Sequence, residues 1–181
     1  MCKPAQFVFL FLIAQTLLLS SEGWEQWRGP NGNGHAPAGE YPLEWSENKN
    51  LSWKTLLPGR GHSSPVYQGS TAWITTALET VASQEERERR ANESSFPGAM
   101  GLHYLSKVEF IALQVDLKTG KIIRQIKVFE KKAPQAIHRL NSYASPSPIL
   151  KNGKLFIHFG AFGNACLNSK TGQIIWKNQD P

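Results

Sequence analysis

The chain has 181 residues, of which 40% are hydrophobic and 10% aromatic, and its formal net charge is +6 at pH 7. This length suits one domain of ordinary size, and the apolar content is enough for a packed core, which excludes a disordered chain. Basic residues are scattered among acidic ones without a basic stripe or an arginine-rich helix, so we do not expect nucleic-acid binding.

Residues 1–23 have the pattern of a secretory signal peptide. Lys3 gives a positive start, and a 13-residue apolar run from Phe7 to Leu19 is followed by small residues. A membrane span needs about 20 apolar residues, so this run is too short for an anchor. Cys2 precedes the run, whereas a lipid-modified cysteine would follow it. We therefore expect an exported protein, periplasmic or extracellular, with no transmembrane span after signal removal.

Residues 24–61 are predicted to be an N-terminal segment that contains a closing strand. The pattern Leu51-Ser52-Trp53-Lys54 resembles Ile174-Ile175-Trp176-Lys177 near the other end of the chain. In a circular fold of repeated sheets, an N-terminal strand can complete the last sheet and remove an exposed sheet edge. We therefore expect residues 51–54 to be such a strand.

Residues 62–130 form the first of two repeated units. The unit begins near Ser64-Pro65, and towards its end the corner Asp116-Leu117-Lys118-Thr119-Gly120 separates two apolar strands. The aspartate side chain can accept hydrogen bonds from backbone amides two residues on, and the glycine can take the positive φ of a bulged turn. This segment is therefore predicted to be the turn of a hairpin.

The first unit carries an insertion, residues 77–106, that the second unit lacks. Its charged part, Glu79 to Ser95, places glutamate and arginine at the i,i+4 spacing that supports a helix, for example Glu85 and Arg89. We expect a short solvated helix or a mobile loop there.

Residues 131–181 repeat the first unit. The corner returns as Asn168-Ser169-Lys170-Thr171-Gly172, 168 − 116 = 52 residues later, and Ser64-Pro65 returns as Ser147-Pro148, 83 residues later. The difference, 83 − 52 = 31 residues, reflects the insertion. Asn152-Gly153 predicts a two-residue hairpin turn. Four short antiparallel strands per unit are typical of a β-propeller blade, whose repeat has about 40–50 residues.

We therefore predict an all-β fold, a β-propeller fragment of about two four-stranded antiparallel blades plus the N-terminal closing strand. In the second unit, the strand 154–159 is apolar on nearly both faces, with Leu155 and Ile157 on one and Phe156 on the other, so we expect neighbours on both sides. A propeller closes with about 4–8 blades. Two blades leave the ring open, so we expect a truncated or split propeller.

The Asp-x-x-Thr-Gly corner followed by a tryptophan resembles the pyrroloquinoline-quinone (PQQ)-like repeat, in which corner and tryptophan lock neighbouring blades together. Residues 24–30 (WEQWRGP) and 59–65 (GRGHSSP) resemble a bacterial group of exported PQQ-like propeller proteins. The likeness covers nearly the whole mature chain outside the insertion. The residues that match the repeat motif are Asp116, Thr119, Gly120, Asn168, Thr171, Gly172 and Trp176, with Arg124 in place of the first tryptophan.

The resemblance implies a cofactor, but the residues of this chain argue against it. Quinoprotein dehydrogenases of this fold hold the quinone over a disulfide of adjacent cysteines and beside a calcium ion. Without the signal peptide, Cys166 is the only cysteine, and we expect it to be a small buried residue. Asp116 and Asp180 are the only aspartates, so no calcium loop is recognisable. We predict no cofactor, no metal site and no catalytic residue, and PQQ binding is not supported.

Two polar clusters near the Ser-Pro sequences are the candidate ligand site. The resemblance places such loops at the central channel of a propeller, where a ring of polar side chains could bind an anion or a sugar. The alternative is that these side chains satisfy backbone groups of the loops. The channel-facing candidates are Arg60, His62 and Ser63 in the first unit and His138, Asn141 and Ser142 in the second.

The six tryptophans allow two interpretations. Their rings could form a face on which carbohydrates stack, because indoles are rigid apolar platforms. In a repeat that uses tryptophan between blades, packing is the favoured interpretation.

From these features we expect a non-enzymatic, exported scaffold or binding propeller, with envelope proteins or a small polar ligand as partners. A quinoprotein-like oxidoreductase is the main alternative, and calcium-dependent retention of PQQ would distinguish it. A third interpretation, a propeller that assembles outer-membrane proteins, is weakened by the missing lipidation signal.

Overall fold

The computed structural model describes residues 23–96 and 98–179. The predicted signal peptide, residues 1–23, lies outside these ranges except for Gly23. Within the described ranges, no helix combines the length and the apolarity that crossing a membrane requires.

Short antiparallel strands make up most of the described structure. The strands are β1 (Val66–Gln68), β2 (Thr71–Val81), β3 (Leu102–His103), β4 (Leu105–Asp116), β5 (Ile122–Lys132), β6 (Ile137–His138), β7 (Ile149–Lys151), β8 (Lys154–His158), β9 (Asn164–Asn168) and β10 (Ile174–Asn178). Helix α1 (Gln84–Asn92) lies between β2 and β3, and two single-turn 3₁₀ helices cover Ala99–Gly101 and Gly160–Phe162.

The strands form two four-stranded sheets with the same topology. The first sheet has the order β1-β2-β4-β5 and the second β7-β8-β9-β10, and every neighbouring pair is antiparallel. We call these sheets blade 1 and blade 2. Strands β3 and β6 pair separately in a two-stranded sheet. The predicted all-β fold with two four-stranded antiparallel units is confirmed.

The turn between β7 and β8 forms as the sequence predicts. Asn152 and Gly153 have φ values of +51° and +71°. Two consecutive positive φ values match the right-handed twist of a tight hairpin, and asparagine followed by glycine adopts them at low cost. This local signal fixes the register in which Lys151 faces Lys154.

The first residues of the insertion extend a strand of blade 1, and the helix begins only after them. Strands β2 and β4 have 11 and 12 residues, whereas β8 and β9 have 5 each. Residues 79–81 therefore belong to β2. The expected short helix forms within the charged segment 79–95 but covers only part of it, Gln84–Asn92. Pairing with β4 takes precedence at residues 79–81 over helix propensity. The helix starts at Gln84, after Ser83, whose Oγ accepts a hydrogen bond from Glu86 N at 3.2 Å.

The two blades are joined by a hydrophobic core to which both contribute. Phe110 of β4 and Phe159 after β8 are buried, and their ring centroids lie 4.9 Å apart. Leu155 and Leu167 of blade 2 are fully buried in the same cluster. Burying a side chain of this size contributes roughly 1.5–3 kcal/mol, so the contact between blades is a major part of the stability.

The other face of blade 2 is open, which contradicts two expectations. Phe156 is 36% exposed, so within the described residues strand β8 has a covered face and an uncovered one rather than two neighbours. The expectation that the tryptophans pack between blades holds for Trp73, which is buried. It fails for Trp27 and Trp45, which are 62% and 72% exposed. Apolar composition alone does not specify which apolar side chains find a partner.

The N-terminal segment crosses the edges of both blades. Trp24 O accepts a hydrogen bond from Tyr67 N of β1 at 2.9 Å, and Glu25 O accepts one from Leu150 N of β7 at 2.7 Å. Residues 51–57 form no strand within the described chain, so the expected closing strand is not seen as a paired strand. That segment instead contacts the corner of blade 1, as described below.

Candidate functional site

The corner of blade 1 is held by the side chain of Asp116. Its Oδ1 accepts hydrogen bonds from Thr119 N and Thr119 Oγ1, both at 2.8 Å. These bonds hold the pKa of the Asp116 carboxyl below its ordinary value, because they stabilise the charged form. Gly120 has a φ of +71° and donates its N–H to Asp116 O at 2.8 Å. The corner is therefore a closed local structure, as the sequence predicts.

The corner of blade 2 has the same geometry with asparagine in place of aspartate. Asn168 Oδ1 accepts hydrogen bonds from Lys170 N at 3.0 Å and from Thr171 N at 2.9 Å. Gly172 has a φ of +77°. An amide oxygen thus serves as acceptor as the carboxylate does, and the substitution removes a charge without removing the turn.

An N-terminal tryptophan covers the corner of blade 1. Trp53 Nε1 donates to Leu117 O at 2.7 Å, and Thr55 Oγ1 donates to Gly120 O at 2.6 Å. A Cβ on Gly120 would lie 2.5 Å from ring atoms of Trp53. Glycine is therefore required at this position both by its φ and by the close approach of the indole.

Blade 1 covers the corner of blade 2 in the same way. Ser169 corresponds to Leu117 in the 52-residue repeat, and its carbonyl accepts hydrogen bonds from Trp73 Nε1 and Gln114 Nε2, both at 3.3 Å. A Cβ on Gly172 would lie 2.6 Å from Ile126 Cδ1 of blade 1. Each described corner thus has its glycine under a side chain and its second carbonyl bonded to a donor from outside its own blade.

Trp176, the last residue of the repeat motif, has no corner beneath it among the described residues. It lies on β10, is 46% exposed, and has its ring centroid 6.5 Å from that of Phe156. The corresponding residue of blade 1, Arg124, bonds to Gln114 Oε1 and reaches Gly172 with its Cδ. Among the described residues, the corners at Gly120 and Gly172 are therefore each covered by side chains from outside their own blade, whereas Trp176 covers no corner.

The two loops that hold the Ser-Pro sequences meet each other. We call residues 60–65 the first Ser-Pro loop and residues 138–148 the second. Ser142 Oγ donates to Arg60 O at 3.2 Å, and His62 N donates to Ala144 O at 3.0 Å. Arg60 also donates to a backbone carbonyl of the second loop, that of Arg139. The two predicted polar clusters are thus one cluster.

Most of the candidate side chains in this cluster bind backbone groups. Ser63 Oγ donates to Thr75 O at 3.0 Å and accepts from Thr75 N at 3.1 Å. Asn141 Oδ1 accepts from Ser142 N at 2.8 Å, and His138 Nδ1 accepts from Leu140 N at 3.2 Å. His62 has an exposed side chain that makes no hydrogen bond within the described chain. This arrangement matches the alternative in which these side chains hold the loops in place.

A polar cluster that the sequence did not indicate anchors the insertion to blade 1. His103 Nε2 lies 2.9 Å from Glu79 Oε2, and Glu79 Oε1 is buried without a hydrogen bond in the described chain.

Tyr143 of the second Ser-Pro loop is a further buried polar residue, and its OH donates to Gln135 O at 2.5 Å. Burial, followed by the charge of Glu79, raises the pKa of Tyr143 to about 12.

Arg90 of helix α1 is the second such anchor. Its Nη1 and Nη2 donate to the carbonyls of Leu105 at 2.9 Å and Pro134 at 2.6 Å, and its guanidinium lies 5.1 Å from the centroid of the Tyr104 ring. Arginine can bind two separate carbonyls at once because its planar guanidinium holds several N–H donors that point in different directions. In the sequence, Arg90 was visible only as one of several charged helix residues.

Cys166 of β9 is fully buried, as expected, and burial raises the pKa of its thiol. It lies beside Phe156 of β8 and Trp176 of β10 in the sheet register. Across the described ranges, no three residues of the histidine, cysteine, aspartate and glutamate types come together in a way that could hold a metal ion.

No protein-family description matches the sequence. A search of curated proteins returns no significant match.

Proposed function

We propose that this chain is an exported, PQQ-like repeat propeller segment that acts as a non-enzymatic scaffold or binding module. The observation that supports this most is that polar side chains at the repeated positions of the two units form hydrogen bonds within their own corners and loops. The side chains of Asp116, Thr119 and Asn168 hold their own corners, and those of Ser63 and Asn141 hold the Ser-Pro loops. The hydrogen bonds of these side chains therefore stabilise the fold.

The exposed apolar surface supports binding to a protein partner. Trp27 and Trp45 are 62% and 72% exposed, and Leu43 and Leu56 are 93% and 95% exposed, all in the N-terminal segment. Large exposed apolar side chains in one segment are typical of interaction surfaces. Envelope proteins are the expected class of partner for an exported chain, and a small polar ligand at the Ser-Pro loops is the other.

A dehydrogenase and cofactor assay tests the non-enzymatic role. The purified chain is incubated with PQQ and Ca²⁺, passed over a desalting column, and assayed with an artificial electron acceptor and a panel of alcohols and sugars. We expect no retained quinone and no turnover above that of a heat-denatured sample. Calcium-dependent retention of PQQ together with dye reduction would replace the proposal by the oxidoreductase alternative.

Export is tested separately. The gene is expressed in a bacterium with a tag at the C-terminal end, and the product in each cell fraction is characterised by N-terminal sequencing. We expect a periplasmic or extracellular product that begins at Trp24. A cytoplasmic product that retains Met1 would show that the localisation is wrong.

Binding is tested by cross-linking the exported chain in its own envelope, followed by mass spectrometry. A variant with Trp27→Ala and Trp45→Ala serves as the comparison. Phe96→Ala, which removes a 61% exposed aromatic side chain of the insertion outside both candidate surfaces, is the matched control. We expect the tryptophan variant to lose the cross-linked partner and the control to keep it. Equal cross-linking of both variants would count against the N-terminal segment as the binding surface.

A further inference from the structure

A cavity of about 240 Å³ lies where helix α1 of the insertion meets the second Ser-Pro loop. Residues of the helix, of the segment that follows it and of the loop line the cavity, among them Arg87, Glu88, Met100, Leu102 and Arg139. Because the second unit lacks the insertion, the cavity is not part of the repeated blade architecture. Its geometry depends on the insertion and the loop, not on the faces by which blades stack.

Contacts outside the cavity hold its walls in place. Strand β3 of the insertion pairs with β6, which puts Leu102 opposite His138, the residue before Arg139. The carbonyl of Arg139 accepts a hydrogen bond from Arg60. Helix α1 is fixed by the two Arg90 bonds described above. A ligand therefore meets walls that are already ordered, which lowers the cost of binding.

The two arginines of the cavity have unused hydrogen-bond donors. Elsewhere on helix α1, Arg89 forms an ion pair with Glu93 at 2.8 Å, and Arg90 is held by its two carbonyls. The side chains of Arg87 and Arg139 make no hydrogen bond or ion pair within the described ranges. Both residues are exposed. Two guanidinium groups with available N–H donors thus line one small cavity.

The charge and the apolar lining of the cavity define what it can hold. Glu88 is the acidic residue in the lining, and its Oε1 already accepts a hydrogen bond from Gln84 Nε2 at 2.8 Å. Two guanidinium groups against one carboxylate leave a net positive charge. Leu102 and the 65% exposed Met100 add apolar surface. Such a lining fits a ligand with an anionic group and an apolar body better than a bare inorganic ion.

We propose that this cavity binds a small organic carboxylate with an apolar body. The carboxylate accepts hydrogen bonds from Arg87 and Arg139, since guanidinium donors match the planar carboxylate and make strong charge-assisted bonds. The apolar body lies against Leu102 and Met100. Sites for drug-sized ligands have about 300–1,000 Å³, so a cavity of about 240 Å³ takes a smaller molecule. The inference gives the proposed binding module a ligand class, and in that respect it rests on the proposed function.

The methyl group of Met100 reports directly on the cavity. Met1 and Met100 are the only methionines, so the full chain labelled with ¹³C-methyl methionine gives two methyl signals, and Met100→Leu assigns them. Titration with phenylacetate is expected to shift the Met100 signal saturably, because the phenyl ring lies beside the methyl group. Phenylacetamide lacks the charge and acetate lacks the apolar body, so each should bind at least about tenfold more weakly.

Substitutions in the cavity and beside it identify the groups that bind. Arg87→Gln and Arg139→Gln should each weaken phenylacetate binding at least about tenfold, the loss expected when one charged donor is removed. Glu88→Gln should strengthen binding, since it removes a charge of the same sign as the ligand. Arg89→Gln, in the same helix but outside the cavity, is the matched control and should leave the affinity unchanged. Circular dichroism checks that each variant is folded.

Three results would overturn the inference. The first is the absence of a saturable Met100 shift at millimolar phenylacetate. The second is phenylacetate binding that is unchanged in Arg87→Gln and Arg139→Gln. The third is binding of phenylacetamide, acetate or inorganic phosphate as tight as that of phenylacetate, because the site would then not select an anion with an apolar body. None of these measurements involves export, PQQ or a cross-linked partner, so the ligand site and the proposed function can fail independently.

Discussion

Replacing Gly120 by alanine tests whether the covered corner stabilises the fold. The structure provides a matched control, since Gly120 and Gly153 both have a φ of +71° but differ in their surroundings. A Cβ on Gly120 would lie 2.5 Å from the Trp53 ring, whereas a Cβ on Gly153 would have no atom within 4 Å. Both substitutions carry the same backbone strain, and only one of them collides with a neighbour.

The expected costs follow from these surroundings. A left-handed conformation costs alanine about 1 kcal/mol more than glycine, which is the whole expected effect of Gly153→Ala. Gly120→Ala additionally displaces the indole, with a loss of about 2 kcal/mol for partial burial and about 1 kcal/mol for the Trp53–Leu117 hydrogen bond. We therefore expect a loss of about 4 kcal/mol in the free energy of unfolding. Gly172→Ala should fall between the two, because flexible ends of Ile126 and Arg124 obstruct it.

Urea unfolding followed by circular dichroism measures these differences. The decisive comparison is made in a background with Trp53→Ala and Thr55→Ala, which removes both side chains that a Cβ at position 120 would meet. There Gly120→Ala should cost about as much as Gly153→Ala. Equal losses for Gly120→Ala and Gly153→Ala in the wild-type background would refute the reasoning. They would mean that the indole does not rest on the corner in solution.

Three further predictions concern groups that hold the structure together. Because burial raises the pKa of Tyr143 to about 12 from its ordinary 10.0, the folded state retains a proton that the unfolded state loses. The unfolding free energy should therefore fall as pH rises from 10 to about 12, and Tyr143→Phe should remove that fall in urea titrations. Asp116 has a lowered pKa, so its contribution is present above its ordinary pKa of 3.8 and is lost as pH falls through the folded value. Asp116→Asn should flatten that acid dependence while keeping the turn, and an unchanged acid profile would contradict this assignment. Arg90→Lys should cost about 2 kcal/mol, nearly as much as Arg90→Ala, since lysine cannot reach both carbonyls; full stability of the lysine variant by thermal unfolding would argue otherwise.

The corners and the hairpin could be predicted from the sequence because they are local. Asp116 and Asn168 bond to amides two or three residues away, and Gly120, Gly153 and Gly172 supply the positive φ that each turn requires. Such local requirements restrict which residue types can occupy a turn, so the turn can be recognised without knowledge of the rest of the chain.

The candidate site could be predicted only in part. The sequence indicated two polar clusters, and the structure joins them through the Ser142 and Arg60 contact. Arg90 and the pair Glu79 and His103 were missed, because their partners are 15 to 44 residues away and nothing in their spacing marks them. Long-range partners are chosen by the packing of the insertion against blade 1.

What the sequence by itself determined is the repeat: two units, their corners, and the strands on either side of them. These follow from alternation, turn residues and a fixed offset, which are properties of short segments. Only the tertiary structure decided which glycine lies under which side chain. It also decided that Phe156 and Trp176 of blade 2 are exposed, whereas Trp73 and Gln114 at the corresponding positions of blade 1 are buried. The physical reason is that burial is a relation between surfaces, and a residue such as tryptophan has the same sequence signature whether or not its partner is present.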